Sequence, residues 1–165
     1  LPPALDAAIS AAADEQLSLT RDRIHVRGIA SDGTDIGQYS STPIYVNPQN
    51  SPSAFQPMGK TGRTVFASTG QQHVTRYFDQ GYREFRQAAG LSADKVVLTL
   101  RGDLRDQLTV IKTSNGYSLG WTDESLYDLS QMLEKKYAKP IWTPTAGERY
   151  LAVEGIRAKV GATIR

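Results

Sequence analysis

Val96-Val97-Leu98-Thr99-Leu100-Arg101-Gly102-Asp103-Leu104-Arg105-Asp106-Gln107-Leu108-Thr109-Val110 is the stretch on which the reading of this chain turns. Apolar and β-branched residues fill positions 96–100, the composition of a buried strand. Charge then crowds around one glycine, and apolar residues resume at Leu108. The pattern predicts a strand over 96–100, a Gly-centred corner, and a second strand over 107–112. Gly102 is the corner residue best suited to a left-handed backbone.

Downstream, Ser114-Asn115-Gly116 carries an Asn-Gly hairpin signal, and Tyr117, Leu119 and Trp121 alternate on the returning strand. Thr122 or Asp123 then caps a helix with apolar positions Leu126, Leu129, Leu133 and Tyr137, which Pro140 closes. A last helix starts either from Thr143 with Pro144 at its first position or from a capping box between Thr145 and Glu148. Its stripe is Val153, Ile156, Val160 and Ile164, weakened by Gly147, Gly155 and Gly161.

Upstream, Pro2 and Pro3 suit the start of a helix whose narrow stripe is Leu5, Ala8, Ile9, Ala12 and Leu17. Short strands are expected at Ile24-His25-Val26 and Ile44-Tyr45-Val46, and a helix from His73 to Ala89 that Gly90 ends. Between lies the least regular region, residues 28–72, punctuated by Pro43, Pro48, Pro52 and Pro57. Its aromatics Tyr39, Tyr45, Phe55 and Phe66 argue against a purely solvated linker. It reads as an extended excursion ordered mainly by contact with other chains. The expected class is α+β: one domain over 1–165, with three to four helices packed on an antiparallel sheet and a long extended loop.

Composition narrows the function. With 165 residues and 39% hydrophobic content, the chain can bury one core. A formal charge of +2 is too small an excess to argue for nucleic-acid binding by itself. The absence of cysteine excludes disulfides, thiolate metal sites and a cysteine nucleophile. No apolar run reaches the roughly 18 residues of a membrane span. Leu1-Pro2-Pro3 leads into an alanine-rich stretch, not the basic-then-apolar layout of a signal peptide.

Candidate chemistry is sparse. Gly59-Lys60-Thr61 resembles the end of a phosphate loop, but Ala54 stands where the first glycine belongs and Gly62 follows. A flexible turn with solvated Lys60 and Arg63 is the simpler reading. His25 and His73 are far apart and lack carboxylates at metal-ligand spacing. Asp32, Gly33 and Asp35 are too few for a calcium loop. No G-x-S-x-G is present, and the alternating Arg101, Asp103, Arg105 and Asp106 suit local ion pairs on a turn. No catalytic, cofactor or metal residue is therefore expected, and no enzyme.

The corner, read as L-x-G-x-L-R-D-x-hydrophobic, resembles the signature of the tailed-phage virion-morphogenesis or tail-completion proteins. In that family a "TG-x-L-R-x-S-I" corner joins two strands; here Arg101 stands for the Thr and Gln107 for the Ser. Asp32-Gly33 followed by Tyr39 to Pro43 is similar to the family's extended "D-G … x-Y-x-P" segment. Tyr117 to Trp121 and Lys136-Tyr137-Ala138-Lys139-Pro140-Ile141-Trp142-Thr143 are similar to its downstream passage. The family's "H-Q-F-G" element is absent, with Glu134-Lys135-Lys136-Tyr137 in its place.

The resemblance implies a virion protein, assembled in the host cytoplasm, that forms a homo-oligomeric ring (a hexamer or dodecamer) at the head–tail neck or proximal tail. Its partners would be portal, adaptor and tail proteins, with non-specific DNA contact in the channel and no membrane. On this reading Arg101, Gly102, Asp103, Leu104, Arg105 and Asp106, with Tyr39, Tyr45, Phe55 and Phe66, form the structural corner and subunit interface. Lys60 and Arg63 are candidate lumen charges. The rival reading is a small basic nucleic-acid-binding module.

Overall fold

The computed structural model describes residues 2–46 and 76–163. In chain order the elements are α1 (Pro3–Asp22), a π-helical turn (Arg23–Arg27), β1 (Ile44–Val46), β2 (Arg76–Phe78), α2 (Gly81–Ala88), α3 (Asp103–Asp106), β3 (Thr109–Thr113), β4 (Gly116–Gly120), α4 (Glu124–Tyr137) and α5 (Ala146–Thr163). The fold is α+β, as the sequence pattern predicts, with two separate two-stranded antiparallel sheets, β1–β2 and β3–β4. The chain forms two compact units: a terminal unit of residues 1–36 and 97–165, and an inserted unit of 37–96.

In the terminal unit, β3 and β4 pair from Thr109↔Gly120 to Thr113↔Gly116, so Ser114 and Asn115 form the turn. Asp123 caps α4 by accepting from the Ser125 amide, and Ala138 ends it in a left-handed conformation. Of the two predicted starts for α5 the structure takes the second. The Thr145 amide donates to Glu148 Oε2 at 2.7 Å, and the Glu148 amide to Thr145 Oγ1 at 3.0 Å. Leu104, Leu108, Trp121 and Leu126 form the core, with Leu17, Leu133 and Trp142 packed against it. Trp121 and Trp142 meet edge to face at 4.8 Å. Val153, expected on the inward stripe of α5, is 45% exposed; the inner side belongs to Ala152, Ile156 and Val160, while Ile164 lies outside the described residues.

In the inserted unit, β1 pairs with β2 from Ile44↔Phe78 to Val46↔Arg76. Phe78 and Phe85 lie edge to face at 5.5 Å, and Tyr82 stacks at an angle between Phe85 and Tyr39. The buried Tyr39, Phe78, Phe85, Ala93 and Val96 are its core.

Three expectations need correction. Over its described residues, 76–89, the helix placed over 73–89 is a strand, a turn and the shorter α2. Gly81 has φ +66°, a left-handed backbone foreign to a helix interior, and a Cβ there would lie 2.3 Å from the Thr42 carbonyl oxygen. The strand expected at Ile24-His25-Val26 is the π-helical continuation of α1, ended by Gly28 at φ +68°. Its β-branched residues match a strand pattern, but the preceding helix carries on through them. The strand expected over 96–100 is loop: Leu98 turns to φ +40°, which breaks the strand. In the excursion Ala30, Ile36 and Tyr39 are buried and Ile29 is bridged to Asp35, while residues 47–72 lie outside the described residues.

Candidate functional site

The corner at 101–106 is a turn of helix rather than a bare turn. Gly102 caps α3 with φ +100°, and a Cβ there would crowd the Asp106 carboxylate at 2.9 Å and touch Arg105 Nη2 at 3.8 Å. That carboxylate can swing away, so a side chain at 102 costs backbone strain rather than space. Leu104 points into the core, and its carbonyl accepts from Trp121 Nε1 at 2.9 Å. Arg21, from the last turn of α1, donates through Nη2 to the carbonyls of Asp106 at 3.2 Å and Leu108 at 2.6 Å. Two long side chains thus fix the corner by its backbone. Arg101, Asp103, Arg105 and Asp106 are left exposed. Arg105 Nε and Asp106 Oδ1 pair at 2.7 Å, and this hydrogen bond holds the Asp106 carboxyl below the usual carboxylate range.

Behind the corner sits His25, buried by the π-helical turn. Its Nδ1 lies 3.2 Å from Thr99 Oγ1, whose own proton goes to the Val97 carbonyl at 2.9 Å. Thr99 therefore accepts, Nδ1 carries the proton, and Nε2 is the bare nitrogen of a neutral ring. That Nε2 is buried without a hydrogen-bond partner among the described residues, as is Arg21 Nε. Trp142 covers the ring at 6.0 Å. Burial pushes the imidazole down to about 4, helped by the Arg105 and Arg21 cations and opposed by the Val97 carbonyl and Asp106.

A second polar centre ties the two chain ends. Arg23 Nε donates to Glu148 Oε1 at 2.8 Å, with both side chains buried. Its other nitrogens donate to the carbonyls of Ile29 at 3.0 Å, Ile141 at 3.0 Å and Thr143 at 3.1 Å. Sequence reading marked Glu148 as a cap but gave no sign of Arg23, 125 positions away. Beside this centre a cleft of about 570 Å³ opens between α1, β4, α4 and α5, lined among others by Ile9, Ala12, Tyr117, Tyr127, Trp142 and Ile156. The nearby polar groups are engaged internally: Trp142 Nε1 with the Ser130 carbonyl, and Glu134 with the Ile141 and Trp142 amides. The cleft therefore offers mainly an apolar, aromatic wall.

The other expected site residues separate. Tyr39 is consumed within the inserted unit, where the Arg86 guanidinium stacks 4.5 Å over its ring. Tyr45 is 60% exposed and rests on Tyr77 at 4.9 Å. Phe55, Phe66, Lys60 and Arg63 lie outside the described residues. Asp32 accepts from the Thr34 amide at 2.9 Å and hydroxyl at 2.7 Å, which makes its loop a closed turn. Among the described residues no group of three or more His, Asp or Glu side chains is placed to hold a metal, and no helix is long and apolar enough to cross a membrane.

What the surface does carry is large apolar side chains: Val26, Tyr127, Met132, Tyr150, Leu151 and Val153 are each between 45% and 66% exposed. Exposed apolar residues that gather on one face mark contact surfaces rather than solvated ones. Comparison of the chain with protein-family models, with curated proteins and with solved structures finds no match.

Proposed function

We propose that this chain is a structural component of a tailed-phage particle, forming a homo-oligomeric ring at the head–tail neck or proximal tail that joins the connector to the tail around the DNA channel. The observation that carries this reading is the Leu100–Leu108 corner. Its sequence resembles the tail-completion signature, and its backbone is held from inside while four charged side chains remain outside. A charged knob fixed by its backbone is suited to docking against a protein neighbour. The apolar side chains exposed on α4 and α5 fit the same role, because ring contacts would cover them.

On this reading the chain is not an enzyme and uses no cofactor. Its partners are further copies of itself, in a hexamer or dodecamer, with portal or adaptor and tail proteins above and below. DNA in the channel would be touched without sequence readout. Electron microscopy and sedimentation of the purified chain test the proposal. A closed ring with a central channel is the expected result. A monomer at every concentration that retards oligonucleotides would replace it with the nucleic-acid-binding module.

A further inference from the structure

Helix α5 has apolar residues on both sides. Ala152 and Ile156 turn toward α1, while Tyr150 at 64% and Val153 at 45% exposure lie on the opposite side beside Arg157. A surface helix normally has one apolar stripe, and a second apolar patch left exposed on the other side is suited to a partner.

The charges say what covers it. Arg149, Arg157 and Lys159 are exposed on α5, against one outward acid, Glu154, which pairs with Arg157 at 2.7 Å. From Pro3 to Thr20, α1 contains Asp6, Asp14 and Glu15 and no Lys or Arg. Its outward face presents Ala4, Ala7, Asp14 and Ser18, with Asp22 at its end held by Arg27. Within one copy, α1 and α5 already pack antiparallel, with Arg23 beside Glu148 and Glu15 beside Gly155.

We propose that the outward face of α5 packs on the outward face of α1 in the next copy, in the same antiparallel register, so that the two helices alternate around the ring. Sliding that register to the outer faces sets Arg157 opposite Asp14 and Val153 opposite Ser18, while Asp22 is already paired with Arg27 at 2.7 Å. The space around Gly161, where an added Cβ would touch nothing within 4 Å, falls near Ala11. The two patches are different surfaces of one molecule, so the contact is head-to-tail, the type that builds a ring when the rotation between copies closes. This inference rests on the ring reading and specifies its contact.

The test uses charge reversal on the full chain, read by sedimentation and native mass spectrometry, with thermal melting as the fold control. Asp14→Arg and Arg157→Asp should each raise the concentration for assembly at least about tenfold while melting as the wild type does. The double variant should recover assembly. So should a one-to-one mixture of the single variants, because reversed and unreversed faces can alternate in a hexamer or dodecamer. In this cysteine-free chain, Ser18→Cys with Val153→Cys should give disulfide-linked ladders on oxidation.

Rings that form normally in both single variants would overturn the contact and leave the ring reading standing. The same holds for loss without recovery in either combination. Loss in Arg157→Asp alone, with Asp14→Arg assembling normally, would show that α5 packs on something other than α1. A wild type that stays monomeric would overturn the ring reading itself.

Discussion

The two units each bury an arginine, and they satisfy it by different means. In the terminal unit Arg23 meets a carboxylate and three carbonyls drawn from residues 29, 141, 143 and 148, so its contacts join the start of the chain to its end. In the inserted unit Arg86 donates to the Ser92 carbonyl at 2.8 Å, only six residues away, and lies against the face of Tyr39. Burial also raises the Tyr82 phenol, an effect the neighbouring Arg86 opposes. One solution is an ion pair that holds distant segments together. The other includes a carbonyl six residues away and an aromatic face of the same unit. Removing the first arginine strands a buried carboxylate at the far end of the chain, whereas removing the second takes away contacts made within the inserted unit.

The largest expected effect follows from that difference. Arg23→Met should destabilise the terminal unit by about 3–5 kcal/mol, because Glu148 stays buried without its cation. Both tryptophans belong to this unit, so their fluorescence during urea unfolding reports it directly. Replacing both partners, Arg23→Met with Glu148→Leu, should recover part of the loss; a double variant no better than the single would show that the carbonyl contacts, not the ion pair, are decisive.

Acid should divide the units next. His25 titrates near 4 in the fold against 6.5 when exposed, so the folded state favours the neutral ring. Stability from this group is complete above pH 6.5 and is lost as pH falls toward 4, for a total of up to about 3 kcal/mol. Hydrogen exchange across that window should show protection falling in the terminal unit, and His25→Gln should flatten the dependence. An unchanged slope in the variant would remove His25 from the explanation.

Arg86→Met should cost the inserted unit about 2 kcal/mol, with the lost cation–π contact and the unmet Ser92 carbonyl among its causes. A loss equal to that of Arg23→Met, measured by exchange in residues 76–96, would erase the contrast. The smallest effect is expected at the corner. Gly102→Val should cost about 1–2 kcal/mol by thermal melting, since φ +100° is strained for valine but the space is closed only by a movable carboxylate.

The corner shows how far local reading goes. Gly102 as the pivot, the Asp123 cap and the Thr145–Glu148 box are all short-range devices, and each is legible because its partners lie within a few residues. The stretch from 96 to 100 was misread because apolar, β-branched composition fits a buried strand and a buried loop alike. Only the turn at Leu98 and the contacts of Val97 and Thr99 with His25 separate them. The same ambiguity hid the π-helical turn behind Ile24 and Val26. An aromatic in an irregular segment suggests a partner, and for Tyr39 the structure shows one within its own chain, the Arg86 guanidinium.

The sequence by itself determined the α+β class, the β3–β4 hairpin, α1, α4 and α5 with two candidate starts, and the charged character of the corner. These rest on periodicity, capping and turn chemistry, which act over one or two turns of chain. Tertiary structure alone decided that residues 37–96 form their own unit, that Arg23 reaches Glu148, that His25 is neutral and buried beside Thr99, and which side of α5 remains uncovered. These depend on which distant segments share a core, and a pattern of side-chain types along a chain does not encode the distance between residues far apart in it.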